Sequence, residues 1–360
     1  MGRSCSLALA LALAHVLLAL TEASAVAWST APLWVRVGDR KLLDLGVRDI
    51  KVDVVVAKDG SGNFTSLQAA LLHAARPVKG QRLVIHIRAG LYREDVEVAI
   101  NKVLLIGDGV GKTVISGNRS KAGGGLESDN TPVLYAKGNY FMARDITIEN
   151  TAGKEAGAAV ALRSDSKQSV FYRCELIGHE DTLLAKTGRQ FYRECTISGT
   201  VDFIFGNAKA VFQNCLLLAR RPLAGKHNVV TAQGKDGGRS DAGFAFQNCT
   251  VTSHEVLDGA ETYLGRPWKK HSHVVFLQSF MDTIVHPRGW VAWDRADERV
   301  PSTVYYGEYA NRGPGANTSA RVSWFHAMNS TEAETYTVQR FISGHKWLNA
   351  TGVEYQPGLI

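Results

Sequence analysis

The chain has 360 residues, of which 45% are hydrophobic and 21% are charged. This ordinary globular composition excludes a disordered chain, a collagen-like fibre and a mini-protein, and 35 glycines beside 9 prolines favour an all-β chain with many tight turns. The formal net charge of +7 indicates a polyanionic partner, and nucleic acid, acidic polysaccharide and anionic membrane are all open on this ground alone.

The amino terminus has the composition of a secretory signal peptide. Arg3 precedes an almost wholly apolar run over residues 7–20, and Ala23-Ser-Ala25 provides a small-x-small cleavage site. Because the run is short for a membrane span, a signal anchor is the less favoured alternative, and no membrane partner is expected. We divide the chain into a signal peptide (residues 1–25), an amino-terminal segment (26–50) and a functional domain (51–360).

Six Asn-x-Ser/Thr triplets fit an exported glycoprotein, since such triplets accept N-linked glycans on surface loops. We expect Asn248 to be unmodified, because it adjoins a strand that should be buried. The six acceptor positions are Asn63, Asn118, Asn248, Asn317, Asn329 and Asn349.

The first elements of the domain are a short helix and several buried strands. A turn at residues 59–62 precedes Thr65 and Gln68, whose spacing resembles a capping box. Apolar residues then follow at helical spacing, which predicts an amphipathic helix over residues 66–75. Short β-branched runs predict strands over residues 52–56, 83–87 and 103–106.

Four related segments in the middle of the chain indicate a repeating architecture. Each has an aromatic residue followed by a cysteine and strand-forming positions, and the cysteines are 21, 20 and 34 residues apart. A period near 20 predicts a β-solenoid, in which each coil stacks on the one before. A β-sandwich is the less favoured alternative, because two-residue hairpin turns are scarce. The segments end at Cys174, Cys195, Cys215 and Cys249.

The same cysteines raise the question of disulfides and metal binding. If they share one position per coil, neighbours lie roughly 4.8 Å apart, which permits a disulfide but does not require it. Buried free thiols are the equal alternative. The cysteines lack CxxC spacing and the histidines lack an HExxH motif, so no metal site is predicted. The longest interval indicates a loop inserted into one coil at residues 220–242.

Several familiar motifs are absent from the sequence. Residues 107–113 lack the first glycine of a phosphate loop, so we interpret them as a solenoid turn. No GxSxG stretch is present, which excludes the serine hydrolase elbow. The positive charge is scattered and no nucleic-acid motif appears, so nucleic acid is not an expected partner.

Two aspartates have the features of a catalytic pair. Asp181 and Asp202 are 21 residues apart, the interval that also separates Cys174 and Cys195, which predicts equivalent positions on adjacent coils. Two carboxyls about 5 Å apart cannot both ionise freely, so one suits a nucleophile and the other a general acid. Asp202 lies among apolar neighbours and needs a partner, for which a buried arginine is the first candidate. A turn-capping role for both aspartates is the alternative.

Tryptophans near an arginine indicate a sugar-binding surface. Arg266 and Trp268 lie in the segment LGRPW, and a tryptophan on a solenoid face can stack on a sugar ring. Trp290 and Trp293 add aromatic surface. We expect one of the three tryptophans to pack in the core instead.

The chain resembles plant pectinesterases (pectin methylesterases) from about Trp34 to Trp347. The segments that contain Asp202 and Arg266 are the most specific to that family. The matching stretches are DVVVAKDGSG (residues 53–62), AGLYRE (89–94), ARDIT (143–147), GTVDFIFGNA (199–208), YLGRPW (263–268) and YYGEY (305–309).

The resemblance implies a right-handed parallel β-helix, with a short amino-terminal helix and helical or loop segments at the carboxyl terminus. It also implies hydrolysis of methyl esters on polygalacturonate without a cofactor or metal ion. By motif, Asp202 resembles the family's nucleophile and Asp181 its general acid and base. Arg266 resembles the substrate-binding residue that also orients Asp202 and keeps it ionised. Trp268 and Trp290 resemble the family's sugar-binding aromatics. Pectin is the implied partner, and a proteinaceous pectinesterase inhibitor is a second one.

The sequence departs from the family at two positions. Where the family has Gln-Ala-Val-Ala-Leu and Tyr-Gln-Asp-Thr-Leu, this chain has Ala158 and Glu180 in place of the glutamines. Those amides are the donors expected at the oxyanion, and removal of one such donor typically costs about 10²–10³ in rate. Ala158 has no side-chain donor, and Glu180 donates only when protonated. Many members also carry an inhibitor-like pro-region, and this chain resembles the form without it.

Three functional classes fit these residues. The first is a secreted, monomeric pectinesterase of the cell wall, with reduced activity or an acidic optimum at which Glu180 is neutral. The second is a non-catalytic pectin-binding protein that keeps Arg266, Trp268 and the basic charge. The third, a lyase or polygalacturonase, is disfavoured by the match around Asp202. Methanol release, binding without release and chain cleavage would distinguish the three.

Overall fold

The computed structural model describes residues 50–74, 80–294, 297 and 299–360. Within these ranges the chain visits three long sheets once per coil, and the strand pairs in those sheets are parallel. This is the predicted parallel β-helix, whereas the β-sandwich alternative, which requires antiparallel hairpins, is wrong. The predicted signal peptide and the amino-terminal segment up to residue 49 lie outside the described residues.

Each long sheet takes its strands from successive coils of the chain. The eleven-stranded sheet contains β1 Val54–Val56, β2 Leu83–Ile87, β5 Val103–Gly107, β8 Met142–Arg144, β11 Ser169–Tyr172, β14 Arg189–Arg193, β17 Lys209–Gln213, β21 Gly243–Gln247, β25 His273–Leu277, β27 Tyr305–Tyr309 and β28 Phe325–Ala327. The eight-stranded sheet contains β3 Gly90–Arg93, β6 Thr113–Gly117, β9 Thr147–Asn150, β12 Glu175–Ile177, β15 Thr196–Gly199, β18 Leu216–Ala219, β22 Thr250–Thr252 and β26 Phe280–Met281. The seven-stranded sheet contains β4 Val96–Val98, β7 Leu134–Ala136, β10 Leu162–Ser164, β13 Leu183–Ala185, β16 Ile204–Gly206, β20 Thr231–Gln233 and β24 Arg266–Pro267. A separate pair consists of β19 Asn228–Val229 and β23 Thr262–Tyr263.

The helices are short, and those near the two ends of the β-helix were expected, whereas the helix at Lys121–Gly124 in the middle of the chain was not. The α-helices of the described residues are α1 Leu67–His73, α2 Lys121–Gly124, α3 Ser330–Glu334 and α4 Val338–Phe341. Single 3₁₀ turns lie at Ser128–Asn130, Lys154–Ala156, Pro314–Ala316, Gly344–Lys346 and Leu348–Ala350.

Helix α1 confirms the predicted helix but not its predicted cap. The cap is Ser66, whose hydroxyl accepts a hydrogen bond from Ala69 N at 3.2 Å, and not Thr65. The predicted partner Gln68 does not close a capping box, and Glu94 instead accepts hydrogen bonds from the first turn of the helix. Its carboxylate accepts from the Gln68 backbone N–H at 3.0 Å and from the Ser66 hydroxyl at 2.7 Å. A tertiary contact therefore replaces the local one.

A stack of aromatic rings runs along the interior of the β-helix. Neighbouring centroids are 4.9, 4.5, 4.5 and 4.5 Å apart in the stack formed by Phe171, Tyr192, Phe212, Phe246 and Phe276. In the second repeat the stacked residue is Tyr192 and not Phe191, because the strand register pairs Phe171 with Tyr192. Each stacked pair contributes about 0.5–1.5 kcal/mol beyond the area it buries. The aromatic position of the repeat thus fixes the register of successive coils.

The four repeat cysteines are buried free thiols. This confirms one of the two alternatives, and no disulfide joins these four residues. Three of the thiols find an acceptor in the preceding coil instead. Cys195 Sγ lies 3.4 Å from the carbonyl oxygen of Phe171, Cys215 Sγ lies 3.5 Å from that of Tyr192, and Cys249 Sγ lies 3.4 Å from that of Phe212.

The long interval between Cys215 and Cys249 contains more than the predicted inserted loop. Strand β20 lies inside residues 220–242, is fully buried and continues the seven-stranded sheet. The single-loop prediction is therefore wrong. The insertion consists of two loops, residues 220–227 and 234–242, on either side of the segment that contains β19 and β20.

Candidate active site

The turns that lead from the eight-stranded into the seven-stranded sheet carry the two aspartates. Asp181 lies between β12 and β13, and Asp202 lies between β15 and β16. Pairing of Leu183 with Ile204 places both aspartates at equivalent positions of adjacent coils, as their spacing predicts. Both have a left-handed backbone, with φ of 64° and 51°, a conformation that aspartate tolerates better than most residues.

Arg266 forms a bidentate ion pair with Asp202. Arg266 Nε donates to Oδ1 at 2.9 Å and Nη2 donates to Oδ2 at 2.6 Å. Asp202 is only 6% exposed, and this burial raises the pKa of its carboxyl, while the hydrogen bonds and charge of Arg266 limit the rise. The arginine predicted as the partner is thus the one that the fold supplies, from β24, two coils further along the seven-stranded sheet.

Asp181 has a different environment from Asp202. Burial raises the pKa of its carboxyl well above the ordinary value, and the negative charge of Asp202 raises it further. The hydroxyl of Ser128 donates a hydrogen bond to Asp181 Oδ2 at 2.9 Å and works in the opposite direction. Asp181 is therefore the member of the pair that holds a proton more readily, which is the property of a general acid.

The two positions that depart from the family also lie beside the aspartates. Ala159 N donates to the carbonyl oxygen of Glu180 at 3.1 Å, so Ala158 and Glu180 belong to neighbouring coils. Ala158 is buried and brings no polar atom in its side chain. Burial, and then the charge of Asp202, raises the pKa of the Glu180 carboxyl. The positive charge of Arg266 thus acts on three carboxyls, those of Asp181, Glu180 and Asp202.

The three tryptophans occupy three different environments. Trp268 packs against Phe205, with ring centroids 6.2 Å apart, beside the outer face of the seven-stranded sheet. Trp293 is 44% exposed, and the guanidinium carbon of Arg266 lies 4.2 Å from its ring centroid. Trp290 is fully buried, and its indole N–H donates to Glu308 Oε1 at 3.1 Å. The assignment of Trp290 to sugar binding is therefore wrong, because its ring packs inside the helix.

The outer face of the seven-stranded sheet forms an apolar floor next to the aspartates. Leu184, Phe205 and Ala232 lie side by side across β13, β16 and β20, and Trp268 packs against this cluster. An adjoining cavity of about 210 Å³ lies under the loop of residues 220–227. Its lining includes the charged residues Lys154, Glu180, Lys226 and Arg266. The three residues of the floor are themselves buried, so the groups that a ligand can reach here are Trp268 and the charged lining of the cavity, which suit a polar ring with an anionic substituent.

The sequence did not single out Ser128, nor Lys226 on the cavity wall. Ser128 comes from a 3₁₀ turn 53 residues before Asp181, after a glycine-rich stretch that carries no recognisable motif. Trp293 was noted as aromatic surface only. Its contact with Arg266 depends on how the segment after β24 folds back, and no spacing rule reports that.

The described residues contain no group of three or more His, Cys, Asp or Glu side chains placed to hold a metal ion. In the same part of the chain, no helix has the length and apolar character needed to cross a membrane.

Comparison with protein families identifies one match to a family model, described as pectinesterase, over residues 53–345. Pectinesterase 2 of Citrus sinensis is 45% identical over 335 residues, which are 91% of this chain and 64% of that protein. The pectinesterase/pectinesterase inhibitor PPE8B of Prunus persica is 47% identical over 334 residues, with 90% and 63% covered. The chain thus spans about three fifths of the length of these curated relatives.

Solved structures show the same fold. The pectin methylesterase from carrot superposes with a TM-score of 0.81 at 42% identity, covering 86% of this chain and 99% of that one. The enzyme from Aspergillus niger superposes with a TM-score of 0.69 at 25% identity, covering 81% and 94%.

Proposed function

The chain belongs to the pectinesterase family, and from this premise we propose that it hydrolyses the methyl esters of pectin, releasing methanol and leaving free carboxylates on the polygalacturonate chain. The main support for the proposal is the bidentate ion pair of Asp202 with Arg266, beside the carboxyl of Asp181, whose pKa is strongly raised. A nucleophile and a general acid are thereby separated by their environments.

In the first half of the reaction, Asp202 attacks the ester carbonyl carbon through a carboxylate oxygen. Arg266 keeps that carboxylate ionised and aimed, because its two donors fix both oxygens. The tetrahedral intermediate collapses as the bond to the methoxy oxygen breaks, and Asp181 gives its proton to that oxygen. Methanol leaves, and the sugar carboxyl is joined to Asp202 as an anhydride.

In the second half, water hydrolyses the anhydride. Asp181, now ionised, takes a proton from the water as its oxygen attacks the acyl carbon. The bond to Asp202 breaks, the sugar carboxyl leaves as an acid that gives its proton to solvent, and Asp202 is again ionised beside Arg266. The two aspartates return to their starting protonation states, so no cofactor enters the balance.

Stabilisation of the negative oxygen is the weak part of this site. The usual amide donors are replaced by Ala158 and Glu180, and an ionised Glu180 opposes charge on the intermediate. A protonated Glu180 can donate to the oxygen. Because burial raises the pKa of Glu180, the donor form extends to higher pH than in an ordinary glutamic acid. We therefore propose slow turnover that is fastest at acidic pH.

The same two replacements support a second candidate function, a non-catalytic pectin-binding protein. Such a protein keeps Trp268 and Arg266 for binding but has no hydrogen-bond donor that stabilises the tetrahedral intermediate. It binds pectin saturably and releases no methanol at any pH.

Methanol release by the purified mature chain from highly methylated pectin tests the two functions. We expect release that is strongest at acidic pH and lost in Asp202→Ala, with Asp53→Ala as an exposed control. Binding without release above the Asp202→Ala background would favour the second function. Shortening of the polymer chain would instead indicate a lyase or polygalacturonase.

We also propose export to the cell wall as a monomeric glycoprotein, with a proteinaceous pectinesterase inhibitor as a protein partner. The predicted signal peptide and the six acceptor triplets support export. Asn118 is exposed, whereas Asn248 bonds to Asn214 and Arg312 through its side chain. Glycan mapping of the secreted protein is expected to find Asn118 modified and Asn248 unmodified.

A further inference from the structure

A second polar cavity lies at the carboxyl-terminal ends of the strands of the seven-stranded sheet, whereas the aspartates lie at the amino-terminal ends. It has a volume of about 370 Å³ and is formed by the turns that lead from the seven-stranded into the eleven-stranded sheet, with the loop of residues 234–242 closing one side. Three cationic side chains line it: Lys167, Arg189 and Lys209. We call these three residues the cationic ridge.

The strand register aligns the ridge along the axis of the β-helix. Arg189 and Lys209 begin β14 and β17 and are direct cross-strand partners. Lys167 lies in the turn of the preceding coil, two residues before Ser169, which pairs with Gln190. The three cations therefore occupy three consecutive coils, with backbones roughly 4.8 Å apart from one coil to the next. That repeat is close to the length of one sugar unit in an extended polysaccharide chain.

The ridge keeps most of its positive charge available to a ligand. Lys167 and Arg189 are exposed, and in the described part of the chain neither charged end forms an ion pair. Lys209 pairs with Asp241 at 2.9 Å, and that carboxylate also lines the cavity. Three cations against one carboxylate leave a surplus of two positive charges. Because the cavity is concave, this surplus attracts anions more strongly than scattered surface lysines do.

One polar group at the cavity lacks a partner. The side-chain oxygen of Gln168 is buried and accepts no hydrogen bond in the described residues. A buried acceptor without a donor costs free energy, which a ligand hydroxyl would recover. The cavity thus combines donors for carboxylates with an acceptor for a hydroxyl, and a uronic acid chain carries both groups on each sugar.

We propose that the cationic ridge is a second binding site, distinct from the aspartate site, for a de-esterified stretch of polygalacturonate. The identity of the ligand rests on the proposed function, whereas the site itself does not. The aspartates precede the strands of the seven-stranded sheet and the ridge follows them, so roughly 10 Å of strand separates the two edges. A long polymer can engage both sites, and a short oligomer occupies only one.

Binding of unmethylated polygalacturonate to the mature chain carrying Asp202→Asn tests the site without turnover. Lys167→Ala/Arg189→Ala in that background should weaken binding about threefold to tenfold at low salt and reduce its salt dependence. The matched control is Arg93→Ala/Lys112→Ala, which removes two exposed cations from the eight-stranded sheet and its turns and should leave binding unchanged. Equal binding by the ridge double variant and the control would overturn the proposal.

Two further measurements separate the proposal from its alternatives. Polyglutamate of similar length should bind the ridge more weakly than polygalacturonate, because it carries carboxylates but has neither a hydroxyl for the Gln168 acceptor nor the spacing of a sugar chain. Equal affinity would mean a general polyanion surface and contradict the assignment. In the active protein, the ridge variant should keep its rate on a short methylated oligomer and lose rate on long pectin. If the unmodified protein releases no methanol from either substrate, the proposed function is wrong, whereas the binding measurement still tests the cationic ridge.

Discussion

The guanidinium of Arg266 lies 4.2 Å from the ring centroid of Trp293 while it donates two hydrogen bonds to Asp202. The ring covers one face of the cation, and the carboxylate occupies its edge. Both contacts limit the orientations open to the guanidinium. Asp202, the proposed nucleophile, is therefore positioned by a residue that itself lies between an aromatic ring and a buried charge.

Arg266→Lys is expected to lower kcat/KM for methylated pectin about 100-fold, or ~3 kcal/mol, because a single ammonium cannot satisfy both oxygens of a buried carboxylate. Initial rates of methanol release measure this. Arg93→Lys changes an exposed arginine in the same way and should be silent. If kcat/KM of Arg266→Lys falls less than fivefold, the bidentate geometry is not required.

Trp290→Ala and Trp293→Ala should separate stability from substrate handling. Loss of the fully buried Trp290 ring is expected to cost about 3–5 kcal/mol of folding free energy. Loss of the exposed Trp293 ring removes a cation–π contact worth about 0.5–1 kcal/mol, so the unfolding midpoint should fall only slightly while the rate falls about twofold to fivefold. Urea unfolding and methanol release are compared for both variants. Equal destabilisation by the two changes would contradict the assigned environments.

Glu180→Gln is expected to raise the rate and to change its pH dependence. Burial and Asp202 raise the pKa of Glu180, so the protonated donor form is lost as pH rises through that raised value, and the rate should fall with it. Glutamine donates at every pH, so the variant should gain up to about 10²-fold at alkaline pH and lose this decline.

Two further variants identify the cause of that gain. Glu180→Ala removes the charge without adding a donor, so it should recover only part of the rate. Glu354→Gln, at an exposed position, controls for a change of net charge. A Glu180→Gln profile that matches the parent at alkaline pH would show that Glu180 does not face the developing charge.

Ser128→Ala should raise the pKa of Asp181, because the hydroxyl now stabilises its ionised form through the 2.9 Å hydrogen bond. Asp181 would then keep its proton to higher pH, and the alkaline limb of the rate profile that reports this proton should move upward in pH. Ser128→Thr keeps the hydroxyl and should restore the parent profile. To keep the limbs distinct, both changes are made in the Glu180→Gln background. If Ser128→Ala leaves the alkaline limb at the same pH, Ser128 does not influence the proton of Asp181.

Local patterns in the sequence determined the architecture and the position of the aspartates. The 20- and 21-residue intervals between aromatic–cysteine segments predicted a β-solenoid, and the equal interval between Asp181 and Asp202 placed them on adjacent coils. Repetition makes this possible, since in a helix of parallel strands a sequence interval of one coil is also a contact in space. The strand at β2 was predicted with its observed bounds from its short β-branched run.

Only the tertiary structure decided which side chains reach the site and which do not. Trp290 and Trp293 are three residues apart in one short segment, yet one packs inside the helix and the other covers Arg266. Ser128 reaches Asp181, and Glu94 caps α1, through turns whose paths no periodicity describes. The cationic ridge likewise emerges from three separate turns. Side-chain direction in irregular turns depends on contacts distant in sequence, and those contacts exist only after the coils have stacked.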